Sequence, residues 1–156
     1  MKLLKKITIL LCFLSLIAFV SCSAEDKSGV KEKDNTDVTG NFPPPAGTYR
    51  DDIIWNEWKD KNDDTKVSTD GNTTKIKGIA LGDGGKRFDF DISKWKKTIK
   101  DGKDIKSEAF NIAAVEPDLT DISIVYYYDS STLEINFKIN YGNGYLFKGT
   151  KQPWII

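Results

Sequence analysis

Catalytic chemistry has few places to start in this chain. None of its 156 residues is histidine, which removes the commonest general base and the commonest metal ligand. Ser-His and Cys-His pairs are therefore excluded, and no Gly-x-Ser-x-Gly elbow occurs. Both cysteines, Cys12 and Cys22, stand near the amino terminus. The body of the chain thus offers no thiol or imidazole to zinc, copper or iron. Asp60, Asn62 and Asp64 fit the first three ligand positions of an EF-hand loop. Thr65 then occupies the place that needs glycine, and Gly71 the place that needs a bidentate glutamate. Gly82-Asp83-Gly84-Gly85-Lys86 has the glycines of a phosphate loop but neither its Lys-Ser/Thr ending nor a following helix. No metal and no cofactor are expected.

Carboxylates are the remaining route to catalysis. Asp89 and Asp91 share a strand face, and Asp51 and Glu57 share one if their segment bends suitably. A glycoside hydrolase would need such a pair across a cleft, with one pKa raised by burial. Carboxylates alternating with apolar residues are more simply the wet face of a sheet, so no catalytic residue is assigned. Aromatic rings are the better lead: the chain has four Trp, eight Phe and six Tyr. Flat rings bordered by polar groups hold sugars, peptides or apolar ligands. Trp55, Trp58, Trp95 and Tyr127 are the candidate binding residues. Tyr127 enters because Tyr126-Tyr127-Tyr128 must point rings at both faces of a strand. The competing reading is that these rings fill a small core, with Trp154 plugging one end.

The amino terminus carries the most specific signal. Lys2, Lys5 and Lys6 precede an apolar run from Ile7 to Val20, the pattern of a secretory signal peptide. The run falls short of the roughly 20 residues that span a bilayer. It ends in Phe19-Val20-Ser21-Cys22, which resembles the lipobox of bacterial lipoproteins, although Phe19 stands where that family usually has Leu. The resemblance implies removal of residues 1–21 and acylation of Cys22, whose chains would anchor the protein in the lipid bilayer; one chain alone binds only marginally. Ordinary cleavage after Ala24 is the alternative. Ser23 after the cysteine resembles the signal for sorting to the outer membrane rather than retention at the inner one.

From Ser23 to Phe42 the chain has five acids, three lysines and little to bury, so residues 22–42 are expected to form a flexible polar tether. Pro43-Pro44-Pro45 then stiffens the chain in an extended form. From Pro43 onward the sequence holds 17 basic and 18 acidic residues. That balance argues against a nucleic-acid partner, which takes a basic surplus. Locally the charges are uneven. Asp51–Asp64 holds six acids, and Lys94–Lys106 holds six lysines, a strip that could face a charged partner or anionic headgroups.

The elements that would position these side chains read as strands. Leu133, Ile135, Phe137, Ile139 and Tyr141 alternate with polar residues, which marks a strand with one buried face. Gly142-Asn143-Gly144 supplies residues tolerant of positive φ for a hairpin into Tyr145–Lys148. Ile122–Tyr128 precedes the turn cluster Asp129–Thr132, giving a three-strand meander. Thr65–Thr69 and Thr74–Leu81 flank a turn at Asp70-Gly71-Asn72. Phe88, Phe90 and Ile92 alternate in a further strand, and Lys106–Val115 closes the series before Pro117. Two segments favour short helices: Asp51–Lys59, and Ser93–Lys100, where Trp95 and Ile99 are four apart and Asp101-Gly102 is a stop.

The expected fold is all-β and mainly antiparallel, a small meander barrel or β-sandwich with one or two short helices, formed by residues 43–156 as a single domain. Gly47-Thr48-Tyr49 and Trp55 before an up-and-down series resemble lipocalin-type lipoproteins faintly, with Tyr49 where that pattern has Trp. The expected function is a lipid-anchored cell-envelope protein that is no enzyme and binds a ligand, a carbohydrate or a partner protein. The alternatives are a surface lipoprotein with no defined small ligand, or a carboxylate-dependent hydrolase.

Overall fold

A computed structural model describes residues 35–58 and 64–153, with only the backbone at Trp55, Glu57 and Trp58. In chain order the elements are β1 (Asn35–Gly40), β2 (Gly47–Arg50), α1 (Asp52–Trp58), β3 (Thr65–Asp70), β4 (Thr73–Ala80), β5 (Lys86–Lys100), β6 (Lys103–Ala114), β7 (Leu119–Tyr127), β8 (Thr132–Ile139) and β9 (Gly144–Lys151). All pairings are antiparallel. The strands run β5-β4-β3-β2-β9-β8-β7-β6, and β6 returns to β5, so the wall closes as an eight-stranded barrel with β1 added outside the cycle. Of the two expected architectures, the barrel is the one formed. The β9–β2 seam is short: Tyr49 pairs with Lys151 and Arg50 with Thr150. Beyond it, Leu81 bridges Leu146, bringing the end of β4 onto β9.

Alternation builds the interior. Leu133, Ile135 and Phe137 of β8, Tyr145 and Phe147 of β9, and Phe88, Phe90 and Ile92 of β5 are all buried, while their neighbours point outward. Trp95 breaks the spacing of two and is still fully buried. The cause is a bulge: Ile92 pairs with Ile112, Lys94 with Asn111 and Trp95 with Ala109, leaving Ser93 and Phe110 without partners. The extra residue turns Trp95 back to the inner face.

Three local expectations need correction. Ser93–Lys100 is not a helix but the second half of β5. A spacing of four is even, so Trp95 and Ile99 suit one face of a strand as well as one face of a helix. Asp101-Gly102 is not a helix stop. Both residues have positive φ, 52° and 72°, and they join Lys100 to Lys103 as a two-residue hairpin turn. The tether, expected to run flexibly to residue 42, gives way to structure at its end: Asn35–Gly40 pairs with β5 from Lys100 to Trp95. β1 extends the edge where β4 leaves off, held by backbone bonds rather than burial, so apolar content could not reveal it.

After β1 the chain passes through Phe42 and the three prolines to β2. Phe42 packs against the core, and Lys97 Nζ stands 4.5 Å from its ring centroid. Tyr49 Oη donates to the Pro45 carbonyl at 2.8 Å. The expected first helix forms as α1. Asp51 caps it, Oδ1 accepting from the amides of Ile53 and Ile54 at 2.9 and 3.3 Å. Its Oδ2 accepts from the Lys148 amide at 3.0 Å, which ties α1 to β9.

Candidate functional site

Of the predicted binding residues, the two whose side chains are described, Trp95 and Tyr127, lie on opposite faces of the wall. Trp95 has no exposed surface, and its Nε1 donates to Thr74 Oγ1 at 3.1 Å inside the barrel. It is a core residue, and its assignment to a binding face is corrected. Tyr127 lies half-buried on the outer face of β7, between Lys106 of β6 and Thr132 of β8. Trp55 and Trp58 are on α1, but their side chains lie outside the described residues, as do Cys22 and Trp154. Tyr126 is buried, and Tyr128 shares a 3.0 Å hydrogen bond with Ser107 Oγ.

The barrel interior, where a lipocalin-like protein would hold a ligand, is occupied by rings. Phe88 on β5 meets Phe147 on β9, four strands away around the wall, at 6.2 Å between centroids. Phe88 also stacks on Phe90 at 5.4 Å, and Phe90 and Phe137 meet edge to face at 6.0 Å. Phe137 stacks on Tyr145 at 5.5 Å. Tyr49 and Tyr126 form an edge-to-face pair at 6.2 Å, and burial pushes the Tyr49 phenol well above its ordinary range. Contacts from wall to wall at these distances are core packing. The lumen is filled at this level.

Of the candidate carboxylates, Asp51, Asp64 and Asp89 make structural contacts, and the Glu57 side chain lies outside the described residues. Asp51 is the cap just described. Asp64 receives Arg50 through two bonds, 3.0 and 2.9 Å, in place of the loop chemistry read from its spacing; Asp60 and Asn62 lie outside the described residues. Asp89 holds Lys77 at 2.6 Å, a bond that raises the lysine's pKa. The lysine strip is interleaved with acids: Lys96 pairs with Asp37, Lys97 with Asp104 and Lys106 with Glu108, at 3.1, 3.0 and 3.1 Å. β1 thus adds Asp37 to a strip that already holds Asp101 and Asp104 in sequence.

Exposed apolar surface lies elsewhere, and it includes Tyr141, which the alternation places on the buried face of β8 but which lies beyond the end of that strand. Phe110 is 68% exposed, Val115 62% and Tyr141 77%. Phe110 is the bulged residue of β6, so its position follows from the same slip that buries Trp95. Tyr141 sits in the β8–β9 turn, where Gly142 N donates to the Ile139 carbonyl at 2.7 Å. The positive φ values fall on Asn140 and Tyr141, 47° and 61°, rather than on the Gly142-Asn143-Gly144 run expected to supply them. A bulky residue rarely takes this conformation. Here it is held from the neighbouring hairpin: Asn140 N donates to the Asp118 carbonyl at 2.9 Å and Tyr141 N to Thr120 Oγ1 at 3.1 Å.

Between these residues the barrel wall is incomplete. β6 pairs with β7 only at Lys106–Tyr127, Ser107–Tyr126 and Glu108–Val125. From Ala109 to Ala114 the edge of β6 that faces away from β5 has no paired strand among the described residues. Ala109, Ile112, Ala114 and Ile122 pack against the core there, with Phe110 and Val115 exposed beside them. No family model, no curated protein and no solved structure matches the chain.

Proposed function

We propose that this is a lipid-anchored protein of the cell envelope, acylated at Cys22, whose barrel binds a partner protein through its outer wall. The observation that carries the choice of outer wall over lumen is the Phe88–Phe147 contact across the barrel. A carrier needs a cavity of about 300 Å³ or more, lined but not filled by its side chains. Exposed Phe110, Val115 and Tyr141 give the outside the apolar anchors that protein interfaces use.

The anchor reading rests on the lipobox resemblance and on its position before the domain. Acylation of Cys22, with the outer membrane favoured by Ser23, would place the barrel at a membrane face. The test is fractionation of cells expressing the chain and its Cys22→Ala variant. The reading expects the variant to leave the membrane fraction with its fold intact by circular dichroism. A variant that still sediments with membranes would end the lipoprotein proposal.

A further inference from the structure

We infer that the open edge of β6, from Ala109 to Val115, accepts an extended apolar segment of the partner protein as an added strand. The inference deepens the reading of the barrel as a protein-binding module. It starts from the backbone. Val115 N donates to the Asp89 carbonyl on β5 at 3.0 Å. In a regular strand the alternate residues, Ala114 and Ile112, therefore turn their N–H and C=O groups the other way, towards the gap. No described strand meets them. A row of alternating donors and acceptors is matched by another extended main chain, the basis of strand addition.

The side chains select the occupant. Phe110-Asn111-Ile112-Ala113-Ala114-Val115 contains no charge, in a chain that is 29% charged. Natural sheet edges are usually protected by charged residues. β1, at the other end of the strand order, follows that rule, with Asp37 joined to Lys96 and Thr98. The β6 edge does not. Glu108, beside Lys106 at 3.1 Å, and Glu116, whose Oε2 accepts from the Asp89 amide at 3.2 Å, place a carboxylate at each end of the uncharged run, which argues against a second copy of this chain. The antiparallel register that pairs the whole run with itself sets Glu108 opposite Glu116 of the copy. A segment with an apolar centre and basic flanks meets no such repulsion.

Strand addition requires β7 to stand away from β6 along Ala109–Ala114, where the two are not paired. Only residues 115–118 link β6 to β7, and the internal bond of that turn, Leu119 N to the Glu116 carbonyl, is long at 3.5 Å. An inserted strand needs its neighbours about 10 Å apart, two strand spacings, and four linking residues can reach that far.

The test uses the purified full chain and a synthetic peptide of alternating valine and threonine with two lysines at each end. Amide hydrogen exchange is followed by NMR. Saturable binding that slows exchange at Ile112 and Ala114 at least tenfold, with Asn111 and Ala113 unchanged, is the expected result. Phe110→Lys, at a site 68% exposed, should raise the peptide's Kd at least tenfold. The same peptide with glutamate flanks should bind more weakly than the lysine form. Three results would each overturn the inference: exchange at Ile112 and Ala114 unaltered at millimolar peptide, those amides already protected in the free monomer, or their protection arising from a concentration-dependent dimer. A failure of Cys22→Ala to leave the membrane would not touch this test, so loss of the anchor reading and loss of the docking edge are distinguishable.

Discussion

Trp95→Phe tests the packing argument at its most informative residue. The substitution keeps a ring but removes Nε1, which donates to Thr74 Oγ1 at 3.1 Å, and both residues are fully buried. Leaving that hydroxyl without a partner costs about 1–3 kcal/mol. The smaller ring leaves a void worth about 1 kcal/mol more, so a loss near 3 kcal/mol is expected. The domain of about 120 residues has an unfolding entropy near 0.25 kcal/mol/K, which converts this loss to a Tm drop of roughly 12 °C. Adding Thr74→Val removes the orphaned hydroxyl and should return about 1–2 kcal/mol, because no polar group is then left unpaired. Urea unfolding followed by circular dichroism reads both steps, with an unchanged m-value as the check on two-state behaviour. A Trp95→Phe loss below about 0.5 kcal/mol, or no recovery in the double variant, would refute the hydrogen-bonded core assignment.

Three further outcomes follow from the same geometry. A Cβ on Gly78 would overlap Thr65 Oγ1 and stand 2.8 Å from Phe88 Cζ, so Gly78→Ala should cost about 1–3 kcal/mol in urea unfolding. Thr65→Ala should recover part of that loss, since Thr65 Oγ1 has no hydrogen-bond partner among the described residues. Tyr141 has φ 61°; Tyr141→Gly should raise stability by about 0.5–1 kcal/mol and Tyr141→Val lower it by about 1 kcal/mol, read as shifts in Tm. The Thr98 hydroxyl, and then Lys96, hold the Asp37 carboxyl below the ordinary carboxylate range. A depressed folded pKa stabilises above the unfolded value of about 3.9 and loses that effect as pH falls through the lower folded value. Amide shifts of Thr36–Thr39 should therefore move towards unfolded positions in that acid window before the barrel unfolds. Shifts that stay fixed until global unfolding would contradict this account of β1.

Much of the barrel was legible because its strands follow a period of two. Leu133–Ile139 alternates cleanly since β8 is buried on one face only, and its partner strands could be read outward from it. Where side chains do two jobs, the pattern failed. Lys97 points to the same face as Trp95, its side chain 17% exposed and its ammonium held by Asp104. A lysine at an inward position hides the second half of β5, where a spacing of four suits a helix and a strand alike. β1 was illegible for the opposite reason: every residue from Asn35 to Thr39 is exposed. Ring content does not say which way a ring points, so the inward orientation of Trp95 was not legible. A bulge, which no short pattern announces, buried Trp95 and exposed Phe110 together.

The most direct test of the central claim is titration with cis-parinaric acid, a fluorescent fatty acid, monitored by energy transfer from tryptophan. A barrel whose opposite walls meet through Phe88 and Phe147 predicts no saturable binding, with the signal rising only as the probe aggregates. Stoichiometric, saturable transfer that is lost when Phe90→Trp fills the interior further would contradict it, and would make the barrel a carrier.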